Sequence, residues 1–109
     1  MNISCSQHSL ESEFINWLAR QTKNNGSNYS PSTREQYVKI LHTFPPRLAA
    51  LNLPEDVLYR LTTEEEVSAV YERMKQEKDF EELDYRCSHH TFSAAMRVYL
   101  RFMKERGKN

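Results

Sequence analysis

The sequence predicts an all-α fold, a compact bundle of about five helices, and three observations support this. Apolar residues recur at intervals of three and four in several segments, which places them on one face of a helix. Valine and isoleucine are sparse, and the alternating pattern of a strand is hard to find. Only two glycines and four prolines interrupt the 109 residues. We expect a single helical domain over residues 9–109, after a flexible N-terminal tail over residues 1–8.

Two helices are predicted in the first half of the chain. The first begins at Ser9 and ends near Thr22, before a glycine-containing polar loop. The second has a clear start signal, because Ser30 can cap it and Pro31 fits its first turn. The prolines at positions 45 and 46 end this helix, since a proline ring cannot continue the backbone hydrogen bonds. The apolar face of the first helix consists of Leu10, Phe14, Trp17 and Leu18.

The second half is predicted to hold a glutamate-rich helix and a longer final helix. A short helix over residues 47–53 and a second helix start at Pro54 precede them. Thr63 and Glu66 have the spacing of a capping box, which marks the start of the glutamate-rich helix. Residues 78–89 are expected to form a polar connection. Ser88 is then the expected N-cap of the last helix, which runs to about Glu105.

Charge is balanced overall but unevenly distributed. Fifteen basic residues match fifteen acidic ones, which excludes a uniformly basic, nonspecific nucleic-acid binder. Residues 55–84 hold four basic and eleven acidic residues, whereas residues 85–109 hold six basic residues and one acidic residue. No hydrophobic run has the length of a membrane span or the pattern of a secretion signal. We therefore expect a cytoplasmic protein with no membrane partner.

The basic side chains of the last helix form a strip that predicts contact with DNA phosphates. They recur every three, four or seven residues, and no acidic residue falls within the strip, so i, i+4 ion pairs are not expected there. The hydroxyl-rich start of the second helix is a second expected phosphate contact. The predicted strip contains His90, Arg97, Arg101, Lys104 and Lys108. The full set of predicted DNA contacts is Ser32, Thr33, Arg34, Arg86, His89, His90, Arg97, Arg101 and Lys104.

The stretch CSHH at residues 87–90 has residue types that bind zinc or support catalysis. Cys5 and His8 could complete a set of four zinc ligands with Cys87 and the adjacent histidines, but the spacing is poor for one ion. A catalytic cysteine would need an orienting group and an oxyanion site that the sequence does not indicate. We expect no metal, no cofactor and no catalytic activity.

Several motifs resemble a small helical module found at the N-termini of restriction endonucleases of the HNH type and other modification-dependent types. The motifs are YSPSTREQY in the second helix, the Phe80–Leu83 turn and SAAMRVYLRF in the last helix. The pattern is also similar to the core-binding, SAM-like domain of tyrosine recombinases. This resemblance covers most of residues 10–106 and implies a DNA-associated module that positions a nuclease or recombinase. No catalytic domain follows Asn109 in this sequence, so both a fragment of a restriction-modification enzyme and a stand-alone module remain open.

The sequence is compatible with two alternative functions that belong to different classes. The first is non-catalytic DNA binding through the residues named above. The second is a protein-interaction or inhibitor module of phage or mobile-element type, acting in phage defence. Such a module would present its acidic face to a host defence enzyme or a nucleic-acid-binding protein, because carboxylates can stand where DNA phosphates would lie. The residues of this acidic face are Glu64, Glu65, Glu66 and Glu72. Neither hypothesis predicts an oligomeric state.

Overall fold

The computed structural model describes residues 10–21, 28–86 and 90–107. Over these ranges the chain forms six α-helices and two short 3₁₀ turns, at Pro45–Arg47 and Ala49–Leu51. The all-α fold class is therefore confirmed, whereas the tail predicted over residues 1–8 lies outside the described ranges. The helices are α1 (Glu11–Ala19), α2 (Pro31–Thr43), α3 (Val57–Arg60), α4 (Glu64–Lys75), α5 (Phe80–Arg86) and α6 (Thr91–Gly107).

Local capping chemistry sets the starts of α2 and α4, as the sequence predicts. The Ser30 hydroxyl accepts a hydrogen bond from the Thr33 amide at 3.1 Å. At α4 the capping box is complete. The Glu66 amide donates to the Thr63 hydroxyl at 3.2 Å, and the Thr63 amide donates to the Glu66 carboxylate at 3.3 Å. These bonds satisfy amides that have no partner inside the helix.

Two predicted segments differ from the structure. The expected polar connection over residues 78–89 is wrong for its central part, because α5 occupies residues 80–86. Phe80 and Asp84 are four residues apart, so both side chains turn inward, and both are buried. The short helix expected over residues 47–53 is replaced by 3₁₀ turns and an irregular segment at Asn52, whose left-handed φ of 57° a right-handed helix cannot accept.

Helix α6 is the centre of the bundle, since α1, α2, α4 and α5 all pack against it. Helix α2 runs antiparallel to α6. Phe44, just after the end of α2, stacks on Phe92 in the first turn of α6 with ring centroids 3.9 Å apart. Tyr37, two turns earlier in α2, lies within electrostatic range of Arg97, further along α6. The start of α2 is thus directed toward the C-terminal half of α6.

Aromatic rings fill the core where α1 meets α6. Phe14 contacts Tyr99 edge-on, with centroids 4.9 Å apart, and also lies 5.4 Å from Phe102. Phe102 is buried in the same cluster, with only 3% of it exposed. The Trp17 ring, 5.5 Å from Phe102, accounts for this burial because α1 covers that flank of α6. Edge-on and offset ring pairs of this kind stabilise a core beyond simple burial.

Among the described residues, no helix combines the length and the apolar character that a bilayer span requires.

Two buried tyrosines use their hydroxyls to join separate parts of the fold. The Tyr59 hydroxyl donates to the Val38 carbonyl at 3.0 Å, and the Tyr99 hydroxyl donates to the Leu58 carbonyl at 3.1 Å. Burial raises the pKa of both phenols well above the usual value of 10.0, because the phenolate would lose its hydration. Both groups therefore stay neutral in the folded chain far into the alkaline range.

This difference in pKa predicts a loss of stability at alkaline pH. An unfolded tyrosine releases its proton near pH 10 while folded Tyr59 and Tyr99 keep theirs, so their contribution is constant below about pH 10 and falls as the pH rises further. Phenolate absorbance should show that these two of the six tyrosines ionise only when circular dichroism reports unfolding. Ionisation of all six tyrosines with helicity intact would contradict the burial of their hydroxyls.

Candidate nucleic-acid interface

Arg97 is a cation of the predicted strip that the described part of the fold leaves available; Lys108 of the same strip lies outside the described residues. Its side chain is exposed in the middle of α6, and within the described chain it makes no hydrogen bond or ion pair. Tyr37 in α2 lies within electrostatic range of Arg97, which acts to lower the pKa of this phenol, although burial and the neighbouring Tyr29 raise that pKa overall. The Tyr29 and Tyr37 rings meet edge-on with centroids 5.9 Å apart. A guanidinium and nearby phenol groups can all donate hydrogen bonds to a phosphate.

Arg101 is held against α1 instead of extending freely from the strip. Its guanidinium lies over the Trp17 ring at 5.1 Å and donates to the Gln21 side-chain oxygen at 3.1 Å. Its Nε atom lies 3.7 Å from a carboxylate oxygen of Glu105, four residues later. The prediction that the strip lacks i, i+4 ion pairs is therefore wrong. Glu105 also accepts a hydrogen bond from the Trp17 indole at 3.0 Å, which keeps the carboxylate in place.

Lys104 and Arg86 are exposed but have acidic surroundings. Lys104 lines a depression of about 380 Å³ together with Glu64 and Glu65 from the first turn of α4. Arg86 pairs with Glu82 at 2.7 Å across one turn of α5, with both side chains about two thirds exposed. Exposed pairs of this kind contribute little and exchange readily with other ligands. The positive charges of Lys104 and Arg86 are thus partly offset by neighbouring carboxylates, which the sequence analysis did not predict.

The predicted phosphate contacts at the start of α2 are partly used in capping. Thr33 receives a hydrogen bond from the Ser30 hydroxyl at 3.0 Å, and the Ser30 and Ser32 hydroxyls lie 3.5 Å apart. The Nε atom of Arg34 donates to the Tyr29 carbonyl at 3.3 Å. Tyr29 in turn contacts Tyr37, which lies within electrostatic range of Arg97. The fold therefore links the two predicted sites through a pair of tyrosines.

The acidic residues of the alternative surface also differ in their availability. Glu66 belongs to the capping box, and the hydrogen bonds from Thr62 and Thr63 lower the pKa of its carboxyl. Glu72 pairs with Lys75 at 2.9 Å. Glu64 and Glu65 have no ion pair within the described residues.

The CSHH stretch connects to the one buried charged residue of the described chain, Asp84. His90 has a φ of 72°, which a helix cannot accept, and its carbonyl accepts the first bond of α6 from the Ala94 amide at 3.1 Å. His90 therefore occupies the N-cap position, two residues after Ser88, so the predicted N-cap is wrong. Ser88 itself, together with Cys87 and His89, lies outside the described residues.

Asp84 supplies the side-chain cap that His90 does not. Its carboxylate accepts from the Ser93 amide at 3.1 Å and from the Ser93 hydroxyl, and it lies 3.0 Å from Nδ1 of His90. The His90 amide also donates to the Asp84 carbonyl at 2.9 Å. A buried carboxylate is stable only when such donors surround it. The α5–α6 junction is thus fixed by one side chain.

The three polar side chains of this cluster do not have the order of a catalytic relay. In a serine–histidine–acid relay the imidazole lies between the hydroxyl and the carboxylate. In this cluster the Asp84 carboxylate lies between Ser93 and His90. An ionised carboxylate can only accept, so Nδ1 of His90 carries the proton. Across the described ranges, no group of three His, Cys, Asp or Glu residues could hold a metal ion. Cys5 and His8 lie outside those ranges.

Sequence reasoning missed Asp84, Tyr29 and Tyr37 as parts of the candidate interface. Asp84 caps a helix from nine residues before Ser93, a separation that no local capping motif covers. Tyr29 precedes the N-cap of α2 whereas Tyr37 lies within the helix, so no helical spacing in the sequence places the two rings together.

Replacing Asp84 with asparagine should destabilise the fold. The amide group would face the His90 and Ser93 donors, and hydrogen bonds to a charged acceptor would be lost, so we expect a loss of about 2 kcal/mol in the free energy of unfolding. Urea denaturation followed by circular dichroism measures this. Glu81→Gln is the matched control, because it removes the same charge from an exposed side chain of α5. Equal stability of the two variants would show that the buried carboxylate does not hold α6.

Comparisons with protein-family models, with curated proteins and with solved structures found no match to this chain. The resemblance to restriction-enzyme modules and recombinase core-binding domains therefore stays a prediction from the sequence motifs.

Proposed function

We propose that this chain is a non-catalytic DNA-binding module whose phosphate contact is centred on Arg97. The observation that carries the proposal is the exposure of Arg97 in the middle of α6, with its positive charge not neutralised by a carboxylate of the described chain. Phosphate is the DNA group that attracts such an exposed guanidinium most strongly. The motif resemblance to DNA-associated modules supports the same function.

The arrangement of α2 and α6 supports a contact larger than one side chain. The Tyr29–Tyr37 pair connects Arg97 to the start of α2, where the Ser32 hydroxyl is exposed. Hydroxyls and backbone amides at a helix start favour an anion, because the positive end of the helix dipole lies there. DNA would thus contact α6 through Arg97 and α2 through its first turn. Arg101 would act mainly by holding Trp17 and α1 in place.

Charge reversal at Arg97 should weaken DNA binding strongly. Arg97→Glu replaces an attractive charge with a repulsive one, so we expect at least about a tenfold rise in the dissociation constant and a smaller dependence of affinity on salt. Fluorescence anisotropy of a labelled duplex, at about 50 mM and about 200 mM salt, measures both effects. Arg73→Glu is the matched control, because Arg73 is an exposed arginine of α4 without an ion pair in the described chain.

Two results would reject this proposal. One is the absence of any binding by the unaltered chain at the lower salt concentration. The other is an equal loss of DNA affinity in Arg97→Glu and Arg73→Glu. Equal losses would show that affinity depends on net charge alone and not on a local site at Arg97.

One specific observation favours the second candidate function, which is the binding of a basic protein through the acidic face. Glu64 and Glu65 stand together in the first turn of α4 without an ion pair in the described chain, beside Lys104. Under the DNA proposal the same two carboxylates repel phosphate from the end of α6. The two functions therefore predict opposite effects of removing them.

Reversing both charges separates the two functions. Under the DNA proposal, Glu64→Lys with Glu65→Lys should raise DNA affinity by about tenfold at low salt, because two repulsive charges become attractive. Under the protein-interaction proposal the double variant should lose its partner, while Arg97→Glu keeps it. The same anisotropy titration, with a Glu77→Lys and Glu81→Lys control for net charge, measures the first effect. Unchanged DNA affinity of the double variant relative to this control would argue against a phosphate path near Lys104.

A further inference from the structure

A groove of about 470 Å³ lies between α1 and α2. Its walls are mainly apolar and consist of Ile15, Leu18, Pro31 and Val38. Ile15 is 42% exposed and is one of two large apolar side chains that the described chain leaves exposed. An aliphatic side chain beside an open apolar groove loses contact with water when a partner covers both, so this surface favours an apolar contact.

The packing of α1 on α2 places Ile15 opposite the middle of α2. Glu11, at the start of α1, lies 2.8 Å from Nε2 of His42, near the end of α2. Leu18, near the end of α1, lines the groove with the first residue of α2, so the two helices run antiparallel. One turn along each helix from the Glu11–His42 pair, Ile15 therefore faces Val38, and both residues line the groove.

Two charges at the groove have no partner within the described chain. Glu35 and Lys39 stand one turn apart on α2, in the order that favours an ion pair along a helix. Neither makes an ion pair or a side-chain hydrogen bond in the described chain, and both side chains are exposed. The permanent charges of the lining also cancel, because Glu11 and Glu35 stand against Arg34 and Lys39. A lining of this kind favours no ligand of a single charge sign but is complementary to its own copy.

We propose that this groove is the contact between two copies of the chain, related by a twofold axis at the level of Tyr37. In such a contact residue i of one copy meets residue j of the other while j meets i. Tyr37 lies midway between Glu35 and Lys39, so the two α2 helices run antiparallel and each Glu35 meets the partner's Lys39. The axis also brings the two Ile15 side chains together, because Ile15 lies at the level of Val38, the next residue of α2.

The Arg97 contact with DNA lies on a different side of α2. Lys39 follows Tyr37 by two residues, which corresponds to about 160° around the helix. Tyr37 lies within electrostatic range of Arg97, whereas Arg97 and Ser32 do not line the groove. The inference therefore does not depend on the proposed function, and a dimer would carry two Arg97 sites.

Sedimentation equilibrium of the full chain over a range of concentrations measures the dissociation constant of the dimer. We expect the unaltered chain to shift from monomer to dimer as its concentration rises. Glu35→Lys and Lys39→Glu should each raise the dissociation constant by at least about tenfold, because each places like charges opposite each other twice in the dimer. The double variant exchanges the two charges and should return the dissociation constant to within about threefold of the unaltered value.

The apolar part of the contact is tested separately. Ile15→Lys should raise the dissociation constant by at least about tenfold, because it places a charge at the centre of the contact. Asn16→Lys is the matched control, since Asn16 is exposed on α1 and does not line the groove. Glu81→Lys, at an exposed position of α5, is the control for Glu35→Lys. Circular dichroism checks that each variant keeps its helices.

Three results would overturn the inference. A chain that stays monomeric up to about 1 mM rejects a second copy as the occupant of the groove. A dimer that Ile15→Lys weakens no more than Asn16→Lys does has its contact elsewhere. A double variant that dimerises no better than Glu35→Lys and Lys39→Glu alone shows that these charges do not pair across the twofold axis.

Discussion

The buried carboxylate of Asp84 is the interaction on which the arrangement of the rest depends. It closes the N-terminal turn of α6, and α6 is the helix against which α1, α2, α4 and α5 pack. A buried charge is costly, and its cost is offset only while Ser93 and His90 keep their hydrogen bonds to it. The same bonds hold His90 in a backbone conformation that its side chain would otherwise disfavour. The start of α6 is thereby set at Thr91, and the exposed face of the helix follows from that start.

The packing around α6 then decides what each exposed cation can do. Arg101 lies over the Trp17 ring of α1, and Lys104 lines a depression together with Glu64 and Glu65 of α4. Arg97 lies within electrostatic range of the Tyr37 phenol in α2. Helical periodicity placed all three on one strip, but it could not distinguish among them. Their neighbours come from segments at least 30 residues away, and these neighbours determine the difference in available charge.

Local rules predicted the parts of the fold that local chemistry controls. The starts of α2 and α4 were predictable because Ser30 and Thr63 cap residues only three positions away. Helix α5 was not, because seven residues are too few to form a stable helix alone and its formation depends on burying Phe80 against α6 and its neighbours. The sequence predicted the region of the candidate site but not its detailed contacts, because those contacts also join residues from separate elements. Asp84 acts across nine residues, and its role is defined by a hydrogen bond that no sequence spacing marks.

The electrostatics of the surface limit the proposed DNA contact to the middle of α6. Toward the C-terminal end, Glu64 and Glu65 line the same depression as Lys104, and Glu105 pairs with Arg101. Toward the N-terminal end, the Asp84 carboxylate is buried, but Glu81 and Glu82 of the neighbouring α5 are exposed. No carboxylate of the described residues pairs with Arg97 between these two ends. A phosphate chain bound at Arg97 is therefore favoured to continue across α6 toward the first turn of α2, where the Ser32 hydroxyl is exposed.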